Sequence, residues 1–130
     1  MNEPSGLGWY ALVADDDEDW RTLVSISLRR AGFQVCEACD GEELIHRFAS
    51  LSALMSTHIV VVSDITMPGR DGVSATQQVR NASIDVPIIL VTGERAPRIL
   101  AAARDAGATL IMSKPIGCAE LVEAVAALCA

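Results

Sequence analysis

The chain has 130 residues, 51% of them hydrophobic and 21% charged, which is typical of one globular domain and excludes a disordered protein. Its formal net charge of −7 gives no support to binding of nucleic acid or of an anionic membrane surface by the domain itself. No signal peptide, transmembrane run or lipidation motif is present in the sequence, so a cytoplasmic location is expected.

Strands and helices are predicted to alternate along the chain, after a flexible leader at residues 1–8. Short apolar runs rich in β-branched residues predict the strands, and apolar positions at a helical period predict the helices. In chain order, the predicted elements are strand 9–14, helix 18–31, strand 33–38, helix 41–51, strand 58–63, helix 73–81, strand 87–91, helix 97–106, strand 109–112 and helix 118–128. Right-handed crossovers would make this a single α/β domain over 9–130, with a doubly wound parallel sheet.

Polar residues and glycines mark several of the predicted helix ends. Asp17 or Asp19 is expected to cap the first helix, and Gly32 stands where a left-handed terminator is expected. Asp40 is expected to cap the second helix, with Glu43 three residues later as in a capping box.

Four of the apolar runs, all expected to be buried strands, end in polar residues of different kinds. Asp15 and Asp16 follow the first strand, and Asp64 follows the third. Thr92 follows the fourth strand, and Lys114, which is the only lysine of the chain, follows the fifth. Ligands of open α/β sheets bind beyond the carboxyl ends of the strands. Three carboxylates, a hydroxyl and an ammonium at one edge suit a divalent cation together with a phosphoryl group.

The run of five acidic residues from Asp15 to Asp19 has two interpretations. It is either a solvated loop that complements the dipole of the first helix or part of a cation site. Two like charges about 4 Å apart repel by roughly 4 kcal/mol at an effective dielectric near 20, and a bound cation removes that cost. Oxygen ligands favour Mg²⁺ or Mn²⁺. Asp64 is either the opening residue of a loop or a nucleophile that accepts a phosphoryl group beside such a metal.

The four cysteines are interpreted as ordinary small packing residues. Cys36 and Cys39 form a C-x-x-C pattern, but Cys118 and Cys129 do not supply a second ligand pair at a spacing that suits zinc. Buried apolar positions are therefore expected for them.

The ordered set of motifs resembles the receiver domains of two-component response regulators, over roughly residues 9 to 129. The matching residues are Asp15-Asp16, Asp64, Met67-Pro68-Gly69-Arg70-Asp71-Gly72, Thr92-Gly93 and Lys114-Pro115. The resemblance implies a flavodoxin-like (βα)5 fold with strand order 2-1-3-4-5. It also implies that Asp64 takes a phosphoryl group from a phosphohistidine on a sensor histidine kinase or a histidine phosphotransfer protein.

The resemblance further implies a Mg²⁺ site and a set of residues that bind the phosphoryl group. The implied metal ligands are Asp16, Asp64, the backbone carbonyl of Thr66 and, through a metal-bound water, Asp15. Thr92 and Lys114 would bind phosphoryl oxygens, since phosphoryl transfer depends mostly on positioning and charge stabilisation. No enzymatic activity is expected beyond self-phosphotransfer and slow autodephosphorylation. Glu94 is predicted to orient the water that hydrolyses the phosphoaspartate.

Phosphorylation is expected to shift the face formed by the fourth helix, fifth strand and fifth helix between two populations and so change binding of a downstream protein target. Many receivers have Tyr or Phe three residues before the lysine, where this chain has Ile111. The sequence leaves open whether the coupling is weaker here or is carried by another residue. It also does not distinguish a single-domain regulator, a phosphorelay shuttle and the receiver of a larger protein.

Two alternatives differ in chemistry. Asp15-Asp16-Asp17 contains the Asp-x-Asp of haloacid-dehalogenase-type phosphatases, but that family needs an acidic pair after the lysine and leaves Asp64 without a role. A phosphorylation-independent interaction module on the same fold is the other alternative, and Ile111 is the feature that keeps it open.

Overall fold

The computed structural model describes residues 8–54, 58–93 and 95–130. The predicted leader lies outside the described residues, apart from Gly8. Strands and helices alternate through the described part of the chain, with boundaries close to the predicted ones. In chain order they are β1 (Tyr10–Ala14), α1 (Glu18–Arg30), β2 (Gln34–Ala38), α2 (Gly41–Leu54), β3 (Ile59–Asp64), α3 (Gly72–Ala82), β4 (Ile88–Thr92), α4 (Pro97–Ala106), β5 (Leu110–Ser113) and α5 (Cys118–Leu128).

The strands form one parallel sheet in the order β2-β1-β3-β4-β5. This confirms the predicted doubly wound α/β fold and its strand order. The order reverses beside β1, which lies between β2 and β3, and such a reversal opens a crevice at the carboxyl ends of the strands. The register pairs Ala14 of β1 with Ser63 of β3, so the next residue of each chain segment, Asp15 and Asp64, emerges beside the other.

Two apolar cores lie on the two faces of the sheet. Alternate residues point to opposite faces, so Leu12 and Val61 belong to one core while Val13 and Val62 belong to the other. Helices α2, α3 and α4 cover the first face, and α1 and α5 cover the second. Because β1, β3 and β4 are buried on both faces, their sequences are almost continuous aliphatic runs.

The fifth strand is more exposed than its sequence predicts. Leu110 is 37% exposed and Ser113 is also exposed. The expectation of a buried strand is wrong here because β5 pairs with β4 alone and lies at the edge of the sheet. Ile111 and Met112 still pack against the two cores from opposite faces of the strand.

The predicted caps are present at the first two helices. The Asp17 carboxylate accepts the N–H of Trp20 at 3.2 Å, and Gly32 has a φ of +99° just beyond the end of α1. The Asp40 carboxylate accepts the N–H of Glu43 at 2.8 Å. The Glu43 carboxylate accepts the N–H of Cys39 at 3.0 Å. In a capping box it would accept the N–H of the capping residue itself, which is one position later in the chain.

The cysteines lie in the described part of the chain as free thiols. Cys129 is buried, and this burial raises the pKa of its thiol to about 12. Cys36 and Cys118 are half-buried, whereas Cys39 is exposed. The expectation of buried positions is therefore wrong for Cys39, because it follows the edge strand β2 in the connection to α2. Among the described residues, no helix is both long enough and apolar enough to cross a lipid bilayer.

Ser25 is a polar residue in an apolar part of the protein, and its replacement by alanine should stabilise the fold. It is 1% exposed, and its hydroxyl has no hydrogen-bond partner among the described residues. Alanine would remove an unsatisfied polar atom and favour the helix. We expect Ser25→Ala to raise the free energy of unfolding by about 1 kcal/mol, measured by urea denaturation. Ser27→Ala is the control, because the Ser27 hydroxyl already donates to the Leu23 carbonyl at 3.0 Å and its loss should bring no gain. Equal effects of the two changes would contradict this reasoning.

Candidate functional site

Three aspartates meet where β1 and β3 end side by side. Carboxylate oxygens of Asp15, Asp16 and Asp64 lie within 4.8 Å of one another. The side chains of Asp15 and Asp64 are 3% and 11% exposed, whereas Asp16 is exposed to solvent. A cluster of carboxylate oxygens is a donor set that fits Mg²⁺ or Mn²⁺. Within the described ranges this is the group of acidic, histidine and cysteine side chains that could hold a metal ion.

Lys114 brings the end of β5 to the same cleft. Its Nζ donates to Oδ2 of Asp15 at 3.2 Å and to Oδ2 of Asp64 at 3.3 Å. Its main-chain N–H donates to the Thr92 carbonyl at 2.8 Å, which ties the ends of β4 and β5 together. The peptide bond between Lys114 and Pro115 is cis. Asp15 just after β1, Asp64 at the end of β3 and Lys114 just after β5 therefore converge, although they are widely separated in sequence.

Burial and charge act on this cluster in opposite directions. Burial raises the pKa of Asp64 above its ordinary value, the nearby Lys114 ammonium opposes that shift, and the Asp15 carboxylate adds to it. For Lys114, burial alone would lower the pKa, but the charges of Asp64 and Asp15 outweigh it and the net shift is upward. The ammonium is therefore firmly charged at neutral pH. Acidification removes the charge of Asp64 at a higher pH than it would for a solvent-exposed aspartate.

The acidic run after β1 divides between the two interpretations of the sequence. Asp15 turns into the cleft and also accepts the N–H of Asp17 at 2.9 Å. Asp17 caps α1, and Glu18 and Asp19 lie in its first turn, where negative charge complements the helix dipole. The interpretation as a complement to the helix dipole is therefore confirmed for Asp17, Glu18 and Asp19. Asp15 and Asp16 lie in the aspartate cluster, and a cation site there stays a prediction.

Thr92 and Thr66 lie in different surroundings near the cleft. Thr92 ends β4 and is 1% exposed, one residue beyond Val91, which pairs with Asp64 across the sheet. Thr66 is exposed, and its N–H donates to Oδ1 of Asp64 at 3.4 Å. Glu94, predicted to orient a hydrolytic water, lies outside the described residues.

Two residues of α1 contact the site in ways that the sequence did not predict. Arg21 donates from Nη1 to the Asp15 carbonyl at 2.7 Å and from Nε to Glu37 at 3.0 Å, which holds the acidic segment against β2. Trp20 places its ring 5.7 Å from Nζ of Lys114. The sequence pointed to a role for Trp20 only in that an aromatic residue comes directly after the acidic run. Nothing in the sequence indicated a contact between Arg21 and the site.

A family model described as a response regulator receiver domain matches residues 11–126. The chain belongs to this family. Receiver domains are in general non-catalytic signalling domains that bind Mg²⁺ at an aspartate cluster and work with sensor histidine kinases. This receiver domain brings Asp15, Asp16 and Asp64 together in such a cluster.

Curated relatives contain a similar receiver domain within longer proteins. The transcriptional regulatory protein PrrA of Mycobacterium tuberculosis is 37% identical over 117 residues, which cover 90% of this chain and 48% of PrrA. The CAI-1 autoinducer sensor kinase/phosphatase CqsS of Vibrio cholerae is 34% identical over 119 residues, which cover 89% of this chain and 17% of CqsS. The chain thus spans less than half the length of either relative.

Solved structures of receiver domains share the fold. The signal receiver domain of the response regulator NarL from Mycobacterium tuberculosis superposes with a TM-score of 0.80 at 26% identity, covering 95% of this chain and 97% of that one. The chemotaxis protein CheY4 of Vibrio cholerae gives a TM-score of 0.79 at 28% identity, covering 92% of this chain and 98% of that one.

The connection from β3 to α3 depends on close backbone contacts in this receiver domain. Gly72 donates its N–H to the Ile65 carbonyl at 2.8 Å, and a Cβ at this position would overlap the Asp64 carbonyl. A Cβ at Gly41 would likewise overlap the Arg70 carbonyl. These glycines let the chain after Asp64 turn back tightly beside the cleft and pack against the start of α2.

Proposed function

We propose that this receiver domain accepts a phosphoryl group on Asp64 from the phosphohistidine of a sensor histidine kinase or a histidine phosphotransfer protein. The observation that carries this function is the convergence on Asp64 of the Asp15 and Asp16 carboxylates and the Lys114 ammonium, which lies 3.3 Å from Asp64. A carboxylate held among oxygen ligands and beside a cation is equipped to act as a nucleophile toward phosphorus.

The donor set fits Mg²⁺, and Mn²⁺ has similar requirements. Asp16 and Asp64 would bind the ion directly, Asp15 through a bound water, and Thr66 through its backbone carbonyl. When bound, the ion neutralises charge and orients phosphoryl oxygens, which lets an anionic acceptor approach an anionic donor. The exposure of Asp16 and Thr66 leaves the solvent side of the cluster open to the donor.

The residues around Asp64 would have different roles in the transfer of the phosphoryl group. A carboxylate oxygen of Asp64 forms the bond to phosphorus as the bond from phosphorus to the histidine nitrogen breaks. The Lys114 ammonium, which donates to Asp64 in this structure, would donate to a phosphoryl oxygen, and the Thr92 hydroxyl would donate to another. Nearly all of this catalysis is positioning and charge stabilisation.

The proposed output follows from the new charge on Asp64. A phosphoryl group adds about −1.5 to −2 charges and strong hydrogen-bond acceptors. Thr92 and Lys114 join β4 and β5 at the cleft, so a change in their contacts would reach the face formed by α4, β5 and α5. We propose that this face shifts between two populations and binds a downstream protein in the cytoplasm. A coupling of about 1–3 kcal/mol is typical of such switches.

Mass spectrometry of the wild-type protein tests this function. After incubation with acetyl phosphate and Mg²⁺, we expect one added phosphoryl group on the peptide that contains Asp64. A chelator added before the phosphodonor should prevent the addition. If no Mg²⁺-dependent phosphorylation is seen with acetyl phosphate or with a histidine phosphodonor, the phosphorylation-independent module is favoured. Steady turnover of a small phosphate ester would instead favour a phosphatase.

A further inference from the structure

The ring of Trp20 covers one side of the Lys114 ammonium. Nζ lies 5.7 Å from the centroid of the ring. This is within the roughly 6 Å over which a cation is attracted to the negative face of an indole. We propose that Trp20 is a positioning residue that holds the Lys114 ammonium over the cleft for phosphoryl transfer. This inference rests on the proposed function of Asp64.

Lys114 needs such a contact because its stem is flexible and β5 ends before it. Its main chain is fixed by the Thr92 carbonyl, but the ammonium is carried on a chain of four methylene groups. In this structure the carboxylates of Asp15 and Asp64 hold the ammonium at 3.2 and 3.3 Å. Both contacts must change in the reaction, because Asp64 bonds to phosphorus and both aspartates belong to the proposed metal site. The contact with Trp20 depends on neither carboxylate and can persist throughout.

The structure also fixes the ring itself. The main chain of Trp20 is held in the first turn of α1, where its main-chain N–H donates to the capping carboxylate of Asp17 at 3.2 Å. Its side chain packs against the core beneath α1. The cavity that Trp20 shares with Asp15 and Asp64 has a volume of only about 10 Å³. This is near the lower limit for a single water molecule, so Trp20 packs against the inner side of the site with almost no space between them.

Substitutions of Trp20 distinguish the effect of its aromatic ring from the effect of its volume. Trp20→Leu keeps an apolar side chain but removes the aromatic face, and we expect phosphorylation by acetyl phosphate to slow about three- to tenfold. Trp20→Phe keeps an aromatic face with a weaker electrostatic attraction, and we expect an intermediate rate. If Trp20 only filled space, the rates of the two variants would follow their unfolding free energies.

A spectroscopic signal tests the contact without metal or phosphodonor. Lys114 is the only lysine, so ¹³C-labelled lysine gives a single ε-methylene NMR signal. In the wild-type protein we expect the ring current of Trp20 to move this signal upfield. The shift should disappear in Trp20→Leu and persist in part in Trp20→Phe. Trp9→Leu is the matched control, because Trp9 stacks on His58 at the amino-terminal edge of the sheet, with ring centroids 4.7 Å apart.

The combined outcomes separate this inference from the proposed function. Loss of the upfield shift together with slower phosphorylation in Trp20→Leu, with both partly restored in Trp20→Phe, supports the positioning role. An unchanged lysine signal or an unchanged rate in Trp20→Leu overturns it, provided that Asp64 of the wild-type protein is phosphorylated. If the wild-type protein accepts no phosphoryl group, the proposed function fails and the positioning role fails with it, whatever the lysine signal shows.

Discussion

Asp64→Asn should abolish phosphorylation while leaving the protein folded. An amide cannot replace the carboxylate as the oxygen nucleophile, so no phosphoryl group should appear by mass spectrometry under conditions that phosphorylate the wild-type protein. The loss should not come from unfolding, because the asparagine carries no charge beside Asp15. The raised pKa of Asp64, caused first by burial, means that its ionised form is less stable in the folded than in the unfolded protein. That cost is absent below the unfolded pKa and grows as the pH rises through the folded pKa.

The stability of Asp64→Asn at neutral pH should therefore be no lower than that of the wild-type protein, as measured by urea denaturation. Asp105→Asn is the matched control, because it makes the same chemical change at an exposed position of α4 and should leave phosphorylation intact. A phosphoryl group found on Asp64→Asn would show that another residue is the acceptor. In that case the role assigned to the convergent carboxylates would be wrong.

Lys114→Met should slow phosphorylation about a hundredfold to a thousandfold, the usual cost of removing one donor that stabilises charge in a transition state. Methionine keeps an unbranched stem but has no charge, so neither Asp64 nor a phosphoryl oxygen would have an ammonium partner. The variant should also be less stable without metal, by about 2 kcal/mol, since it leaves two mostly buried carboxylates uncompensated. This loss should shrink as the pH falls through the raised pKa of Asp64 and that carboxylate becomes protonated.

The variant Lys114→Arg distinguishes the effect of the positive charge from the effect of the shape of the ammonium group. The guanidinium keeps the positive charge, so most of the stability should return, but its planar fork differs from a compact ammonium and phosphorylation should stay slow. Arg30→Met removes one positive charge from an exposed position of α1 and should change neither property. Rates of acetyl phosphate-dependent phosphorylation and urea denaturation curves provide the comparison. Phosphorylation of Lys114→Met at the wild-type rate would exclude the proposed role of the ammonium.

Much of the fold could be predicted because its signals are local. The central strands are aliphatic runs that are buried on both faces, and the caps at Asp17 and Asp40 involve residues three apart in sequence. Predictions failed where burial depends on the place of an element in the whole molecule. The sequence of β5 resembles that of a central strand, but its position at the sheet edge exposes Leu110. Cys39 is exposed because it directly follows β2, the strand at the opposite edge of the sheet.

The convergence of the site residues was predictable for a different reason, since it follows from the topology of a parallel sheet. Asp15, Asp64 and Lys114 each lie at or just beyond the carboxyl end of a strand. Parallel strands bring their carboxyl ends to one edge, so topology alone implies that these residues meet. The contact of Trp20 with Lys114 could not be predicted in this way, because it depends on how α1 packs against the sheet. The hydrogen bond from Arg21 to the Asp15 carbonyl has the same origin.

The amino-acid sequence by itself determined the alternation of strands and helices, because short-range periodicity and capping specify where each element lies. It thereby also determined which kinds of chemical group stand at the strand ends. Only the tertiary structure decided which members of the acidic run from Asp15 to Asp19 face the cleft and which serve α1. It also decided which neighbours surround the Lys114 ammonium. The physical reason is that such contacts join side chains far apart in the chain, and they are fixed only when helices and sheet pack together.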